Sequence, residues 1–240
     1  MSPSTLTLTI VAASGAVLVA PTAFATTVSP ILTEIRIDQS GSDNDEFFEI
    51  YGDAGASLNG WSLITVGDAS ADSFGYIENV VNLNGLSFGS NGVFVGTEST
   101  FTQSIDPLAS SGVFGATGLN FENSDNVTFM LVYEFSGAIG SDIDTNNDRI
   151  MDASYWSSLG DSVSLVVLPG AGDGYYGAAS VGPDGTFVPG HVYRDGYGAW
   201  QIGAFALGTN DTPGTYVPIP TPGAMALLAV AGLGRRRARR

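Results

Sequence analysis

The fold is decided by the stretch from Ile31 to Leu63, which reads ILTEIRIDQSGSDNDEFFEIYGDAGASLNGWSL. It contains short runs of β-branched and aromatic residues that are separated by clusters of Gly, Asn, Asp and Ser. Runs of this kind predict strands, and the clusters between them predict turns. Polar and apolar residues alternate from Glu34 to Ile37, as expected of a half-buried strand. The stretch therefore predicts three strands, at Ile31–Ile37, Glu46–Tyr51 and Trp61–Val66.

The same pattern continues along the chain, and no window carries a long apolar stripe at helical spacing. Four further strands are predicted, at Val93–Gly96, Val127–Tyr133, Ser162–Leu168 and Ala199–Phe205. Loops are predicted at Asp53–Asn59, Pro169–Gly174 and Gly182–Gly185, where turn-forming residues are concentrated. Seven or more short strands with turns between them indicate an all-β fold with the architecture of a β-sandwich.

Three blocks of this pattern resemble the opening of a lamin-tail domain: Ile31–Ile35, Asp45–Tyr51 and Leu58–Leu63. Weaker similarity continues through Asn123–Phe129 and Asp161–Leu165 and closes at Thr212-Pro213-Gly214. The resemblance covers roughly residues 31 to 214, with long insertions between the matching blocks. It implies an immunoglobulin-like β-sandwich without a catalytic site of its own. Such modules are often attached to exported nucleases and surface proteins, where they serve adhesion or targeting.

The N-terminus has the order of a secretory signal peptide. The residues from Leu6 to Val19 are almost wholly apolar or small, and the small-residue pattern Ala23-Phe-Ala25 follows. This predicts a signal peptide over residues 1–25 that is cleaved between Ala25 and Thr26. A retained transmembrane anchor is the alternative. The predicted product is an exported protein whose sandwich domain occupies residues 26–214.

The C-terminus combines a Pro-rich linker over residues 215–223 with an apolar and basic tail over residues 224–240. Its apolar run, Ala224–Gly234, has 11 residues, whereas a full membrane span needs about 20. A cluster of Arg follows, beginning with Arg235, Arg236 and Arg237. The order resembles the short, planctomycete-type variant of the PEP-CTERM sorting tail, with Pro220-Thr-Pro222 in place of Pro-Glu-Pro. The resemblance implies transient membrane association and recognition by the export machinery and a sorting protease. A frayed amphipathic tail is the alternative.

The charge of the chain limits its partners. Between residues 26 and 234, three Arg accompany all 24 acidic residues, which gives a net charge of −21. Such a surface repels nucleic-acid phosphates and favours divalent cations and solubility. The chain has no Cys, so neither disulfides nor thiol chemistry is available to it. We expect partners in the cell envelope or extracellular matrix.

An acidic stretch, Asp142-Ile-Asp-Thr-Asn-Asn-Asp-Arg-Ile-Met-Asp152, resembles the first nine positions of an EF-hand or dockerin calcium loop. Ca²⁺ takes six to eight oxygen ligands, and a tight loop presents alternate side chains and one backbone carbonyl to it. The loop departs from the pattern at Arg149, where a Gly is usual, and at Tyr155, where a bidentate Glu is usual. A solvated acidic loop is the alternative. The predicted ligands are Asp144, Asn146, Asp148, the carbonyl of Ile150, and Asp152, with Asp142 as an additional carboxylate. The side chain of Ile150 is expected to pack into the sandwich.

The sequence offers little for catalysis. His191 is the only histidine, and a lone histidine of this kind is expected in a surface loop. The chain has no G-x-S-x-G elbow, no P-loop and no Lys. Glu46 and Glu49 are three positions apart on a strand and should point to opposite faces, which disfavours a catalytic carboxylate pair. We therefore predict no catalytic residue and no cofactor other than Ca²⁺.

The sequence thus predicts an exported, non-enzymatic cell-surface or matrix protein that acts in structure or adhesion. Two other classes of function stay open. A carbohydrate- or ligand-binding module would use Tyr193, Tyr197 and Trp200 as a stacking platform. A hydrolase would depend on His191 as its base.

Overall fold

The structure, a computed structural model, describes residues 29–70, 73–115, 119–170, 174–208 and 210–218. The predicted signal peptide with its Ala25–Thr26 site lies outside the described residues. So do Pro220 and Pro222 of the linker and the whole apolar and Arg-rich tail with Arg235–Arg237. Within the described ranges, no helix is long and apolar enough to cross a membrane.

The regular structure of the described residues is entirely β. Eleven strands are formed in these ranges. They are β1 (Ile31–Arg36), β2 (Phe47–Tyr51), β3 (Trp61–Ser70), β4 (Ser73–Asn82), β5 (Val93–Glu98), β6 (Ser110–Phe114), β7 (Val127–Tyr133), β8 (Ser158–Leu165), β9 (Ala179–Val181), β10 (His191–Arg194) and β11 (Trp200–Ile202). The prediction of an all-β fold is confirmed.

The strands form two mixed sheets. The six-stranded sheet has the order β11-β10-β1-β2-β5-β6, and the five-stranded sheet has the order β4-β3-β7-β8-β9. The pairs β5–β6 and β8–β9 are parallel, and the other neighbouring pairs are antiparallel. The first strand, β1, lies next to β10, the last strand but one.

The main core lies between the two sheets, as a β-sandwich requires. The six-stranded sheet contributes Phe48, Ile50 and Phe94, and the five-stranded sheet contributes Leu63, Phe129 and Val163. All six side chains are at most 1% exposed. Trp61 is only partly buried, and it packs against this core with its ring 5.2 Å from that of Tyr133.

Both outer faces of the sandwich are also covered. The segment between β7 and β8 contributes Ile143 and Tyr155 to a second apolar cluster on β3 and β7. The chain after β11 lies over the six-stranded sheet. We call the chain from Gly203 to Val217 the strap; residue 209 of the strap is not described. Its Tyr216 packs against a third cluster that includes Phe47 and Val95.

Two predicted strands have different bounds in the structure. Each ends where backbone groups form hydrogen bonds with side chains. The strand predicted at Ala199–Phe205 covers only Trp200–Ile202, because the carbonyls of Ala204 and Phe205 accept hydrogen bonds from the Arg36 side chain. The strand predicted at Ser162–Leu168 starts at Ser158 and ends at Leu165. Just beyond its end, the amides of Val167 and Leu168 donate to the side chain of Asn126.

A β-bulge in β1 decides which side chains face the strap. Leu32 and Ile35 both lie in the main core, and the register against β2 shifts between Leu32 and Glu34. Thr33 and Glu34 therefore both turn to the outer face, where each side chain takes part in hydrogen bonds with the Glu49 carboxylate or the strap. Bulges of this kind re-aim side chains and are frequent beside functional sites.

Candidate functional site

A cluster of ionisable side chains is enclosed between the six-stranded sheet and the strap. β1 supplies Glu34 and Arg36, β2 supplies Glu49, β10 supplies His191 and the strap supplies Asp211. Their side chains are at most 2% exposed. We call these five residues the buried polar cluster.

Arg36 ties the strap to β1. Its Nε and Nη2 atoms donate to Oδ1 of Asp211 at 2.8 and 2.5 Å. Its remaining hydrogen bonds go to the backbone carbonyls of Asp38, Ala204 and Phe205. A buried guanidinium is tolerated only when it is paired and its donors are satisfied. The strap supplies both the carboxylate and most of these carbonyls.

His191 lies on a strand and has no exposed side-chain atom, which corrects the prediction of a surface loop. Its Nε2 lies 2.9 Å from Oε1 of Glu34. Burial, followed by the charge of Arg36, lowers the pKa of His191 to about 4. Burial raises the pKa of Glu34 to about 7 against the opposing hydrogen bonds from Thr212. Both pKa shifts favour the uncharged forms, so between about pH 4 and pH 7 this contact is a neutral hydrogen bond.

The second nitrogen of His191 is equally enclosed. Nδ1 is buried and has no hydrogen-bond partner. It lies against Gly203, where a Cβ atom would overlap with the ring. A glycine at this position allows the strap to approach the imidazole closely. The imidazole is therefore held within the fold and does not face solvent.

Glu34 and Glu49 lie side by side on β1 and β2. Glu34 accepts hydrogen bonds from the amide and the hydroxyl of Thr212 at 3.0 and 2.8 Å. Glu49 accepts from the amide of Gly214 at 2.7 Å and from the hydroxyl of Thr33 at 2.6 Å. Burial, and then the charge of Glu34, raises the pKa of Glu49 to about 8. The carboxylate neighbour of Glu49 is thus Glu34.

Glu46, the partner that sequence spacing suggested for Glu49, lies in a separate acidic group. Its Oε1 accepts a hydrogen bond from the amide of Phe121 at 3.0 Å. Burial, and then the charge of Asp43, raises the pKa of Glu46 to about 9. The expectation that Glu46 and Glu49 form no pair agrees with this arrangement.

The buried polar cluster also contains a group with metal-ligating chemistry. Ligand atoms of Glu34, His191 and Asp211 all lie within 4.8 Å of one another. However, Oδ1 of Asp211 already accepts two hydrogen bonds from Arg36, whose positive charge would oppose a cation. Glu34 is likewise bonded to His191 and Thr212. The residues fit an interlocked hydrogen-bond network better than a metal centre.

The predicted calcium loop lies against β4, on the opposite side of the sandwich. Asp144 is fully buried, and its carboxylate accepts the amides of Asp148 and Arg149 at 3.1 and 2.8 Å. The hydroxyl of Tyr176 donates to the same carboxylate at 2.7 Å. Arg149 adopts the left-handed conformation, with a φ of 68°, at the position where calcium loops usually have Gly.

The other predicted ligands hold the same loop together. Oδ1 of Asn146 accepts the amide of Asp148, and Oδ1 of Asp148 accepts the amide of Ile150. Asp152 accepts the amide and hydroxyl of Thr145, and Asp142 accepts the amide of Asp144. Among the described residues, no three of the loop carboxylates have oxygen atoms within 4.8 Å of one another. Calcium binding stays a prediction.

Ile150 and Tyr155, in and after the loop, differ in their burial. The side chain of Ile150 is 67% exposed, so the expectation that it packs into the sandwich is wrong. Tyr155 packs in the second apolar cluster and donates its hydroxyl hydrogen bond to the carbonyl of Asp142 at 3.2 Å. It therefore anchors the loop at the position where an EF-hand has its last ligand.

The three aromatic residues considered for a stacking platform do not lie together. Tyr193 is on the outer face, with its ring stacked on His191 at 5.8 Å. Trp200 is the register partner of Arg194 and packs on the main core, with the guanidinium of Arg194 4.5 Å from its ring centre. Tyr197 is 82% exposed in the turn between their strands.

Comparison of this chain with protein-family models, with curated proteins and with solved structures found no match. The resemblances to lamin-tail domains and to PEP-CTERM tails therefore stay predictions that rest on the residues quoted above.

Proposed function

We propose that this chain is an exported, non-enzymatic protein of the cell surface or extracellular matrix, built on an immunoglobulin-like, lamin-tail-like sandwich that acts in structure or adhesion. The supporting observation is that the first blocks of the lamin-tail resemblance bind its closing block, Thr212–Gly214. Glu34, in the first block, binds Thr212 in the closing block, and Glu49 binds Gly214. Residues 31 to 214 are thereby joined into one unit, and the strap ends at Val217, which is 73% exposed.

The chemistry of the buried polar cluster favours a structural protein over a hydrolase. A general base must come within hydrogen-bond reach of the proton that it abstracts. His191 has no exposed side-chain atom, and its Nε2 is bonded to Glu34. The cluster instead holds the strap on the sheet.

Calcium has a place in this proposal as a stabilising ion. The loop has the left-handed turn that a calcium loop requires, at Arg149. Asp144, Asn146, Asp148, Asp152 and the carbonyl of Ile150 would supply hard oxygen ligands, which suit Ca²⁺. The ion would cross-link the segment between β7 and β8, and it would add stability by binding only the native state.

The proposed partners follow from the ends of the chain and from its charge. The export machinery and a sorting protease would act on residues 1–25 and 215–240, and membrane association through the tail would be transient. The net charge of −21 between residues 26 and 234 disfavours nucleic acid as a partner. Components of the envelope or matrix are the proposed binding partners of the displayed domain.

Cell fractionation tests the proposal. In the native host, the protein should begin at Thr26 and fractionate with the cell surface or matrix. Deletion of Ala224–Arg240 should release it to the medium with an unchanged melting temperature. A variant with Arg235, Arg236 and Arg237 all changed to Ala, which keeps the apolar run, separates the role of charge from that of hydrophobicity. Recovery of the chain in the cytoplasm with Met1 still attached would contradict the proposal.

A further inference from the structure

A pocket of about 300 Å³ opens where the strap crosses the outer face of the six-stranded sheet. This volume is at the lower end of the range for small-molecule sites, about 300–1,000 Å³. Glu34 and Glu49 form its floor, and Tyr193 and Tyr216 line it as aromatic residues. The hydroxyl-bearing residues Thr33, Thr212 and Thr215 also line it. The pocket is therefore the size of one ring and combines aromatic with hydrogen-bonding surface.

The register of the sheet explains this lining. Glu34 pairs with Tyr193 on one side and with Glu49 on the other, so the three side chains form a row across β10, β1 and β2. The bulge in β1 turns Thr33 towards the same face, where it bonds to Glu49. Tyr216 closes the row from above, with its ring centre 5.3 Å from that of Tyr51. The register of the neighbouring strands and the position of the strap thus fix both the carboxylates and the tyrosines that line the pocket.

The floor carboxylates keep acceptor capacity after their structural bonds are counted. A carboxylate has about four acceptor positions. Glu34 uses three of them for His191 and for the amide and hydroxyl of Thr212. Glu49 uses three for Thr33 and for the amides of Gly214 and Thr215. In its ionised form, which the raised pKa values of about 7 and about 8 place above neutral pH, each carboxylate therefore has about one acceptor position left for a ligand.

The charges around the pocket disfavour an anionic ligand. Arg194 also lines the pocket, but its guanidinium is bonded to the carboxylate of Asp161 and to the carbonyls of Leu32 and Gly198. Asp195 adds a third carboxylate to the lining. A ligand that suits this pocket has several hydroxyl donors, an apolar face for a tyrosine ring and no negative charge.

We propose that this pocket binds one uncharged sugar ring, with its C–H face against Tyr216 or Tyr193 and two of its hydroxyls donating to Glu34 and Glu49. Tyr197 and Trp200 have no part in this site. The proposal does not depend on where the protein is displayed, because the pocket lies within the described sandwich. If the proposed surface role is also correct, the ligand would be a sugar unit of an envelope or matrix polysaccharide.

Calorimetric titration of the purified 240-residue chain at about pH 9, where Glu34 and Glu49 are ionised, tests this proposal. The probes are glucose, galactose, mannose, N-acetylglucosamine and glucuronate, each to about 100 mM, which is sufficient to detect millimolar affinity. At least one uncharged sugar should bind saturably, and glucuronate should bind at least about tenfold more weakly than glucose or not at all. Tyr216→Leu should weaken binding on the order of tenfold, because the loss of one aromatic anchor has an effect of this size. Tyr197→Leu is the matched control and should bind as the wild type does.

The melting temperature of each variant shows whether it is folded. If Tyr216→Leu does not fold, Glu49→Gln replaces it as the test. That change keeps the size of the floor. Above pH 8, where Glu49 is ionised, it also replaces an acceptor oxygen by a donor, so binding at about pH 9 should weaken about fivefold. The proposal is overturned if no uncharged sugar binds the folded wild type, or if the folded pocket variant binds as tightly as Tyr197→Leu. Tighter binding of glucosamine than of glucose at neutral pH, where the amine is charged, would also overturn it, because it would identify a cation site.

Discussion

Replacing Glu49 by glutamine should stabilise the protein above neutral pH. Glu49 lies at the interface of β2 and the strap, where burial and the nearby Glu34 raise its pKa from 4.5 to about 8. The native state therefore binds this proton more tightly than the unfolded state does. Stability from this group is fully present below pH 4.5 and is lost as the pH rises towards 8.

The size of the effect follows from the shift. The pKa rises by about 3.5 units, and each unit corresponds to about 1.4 kcal/mol, so the loss at pH 8 has an upper limit of about 5 kcal/mol. Relaxation of the strap will lower this figure, and we expect about 2–5 kcal/mol. Glutamine cannot ionise, and its amide keeps the size of the protonated carboxyl. Its oxygen can accept the amide of Gly214, and its NH₂ can donate to the hydroxyl of Thr33, which is free to rotate.

Urea denaturation of the wild type and of Glu49→Gln at pH 5 and pH 8, followed by tryptophan fluorescence, measures the difference. The variant should be more stable than the wild type at pH 8, and the two should be close to each other at pH 5. Glu134→Gln, a change of the same chemistry at an exposed residue, is the control and should follow the wild type at both pH values. An equal difference between Glu49→Gln and wild type at both pH values would refute the reasoning.

Three further predictions concern the strap and the acidic loop. Asp211→Ala leaves the guanidinium of Arg36 buried without its carboxylate, which should cost about 3–5 kcal/mol in urea denaturation; a loss below about 1 kcal/mol would contradict the role of this pair. Gly75→Ala places a Cβ 2.7 Å from that of Asp144 at a φ of 88°. It should cost about 1–3 kcal/mol, whereas Gly55→Ala, with a similar backbone but open space, should cost less. Ca²⁺ at millimolar concentration should raise the melting temperature of the wild type but not that of the double variant Asp144→Ala/Asp148→Ala. Equal heats of calcium binding to the wild type and the double variant would show that this loop is not the calcium site.

The sequence was informative where a local pattern decides the structure. Each of the seven predicted strands overlaps an observed strand. β7 matches its predicted bounds of Val127–Tyr133, because six of its residues are buried and form a clear apolar run. The strands that the sequence missed are β4, β6, β9 and β10. β6 and β9 lie at sheet edges and pair parallel with their neighbours, so their positions depend on distant segments.

The candidate site could be predicted only in part for the same reason. The spacing of the acidic loop is local and could be recognised, although Arg149 adopts the left-handed conformation at a position where the sequence pattern calls for Gly. The burial of His191 could not, because it depends on Gly203 and Glu34, which are close in space but not in sequence. The bulge that turns both Thr33 and Glu34 outward also breaks the strict alternation from which side-chain faces are inferred.

The strap has a consequence for the order in which the protein folds. Arg36, Glu34 and Glu49 are among the first residues of the domain to be synthesised, yet their partners are 165 to 178 residues further along the chain. Loops of this length must close before these contacts contribute, which slows folding. Until residue 214 has been made, the first sheet holds charged groups with no strap to bind them. We expect late folding of this kind to suit the proposed export, in which the protein would pass through a narrow channel unfolded.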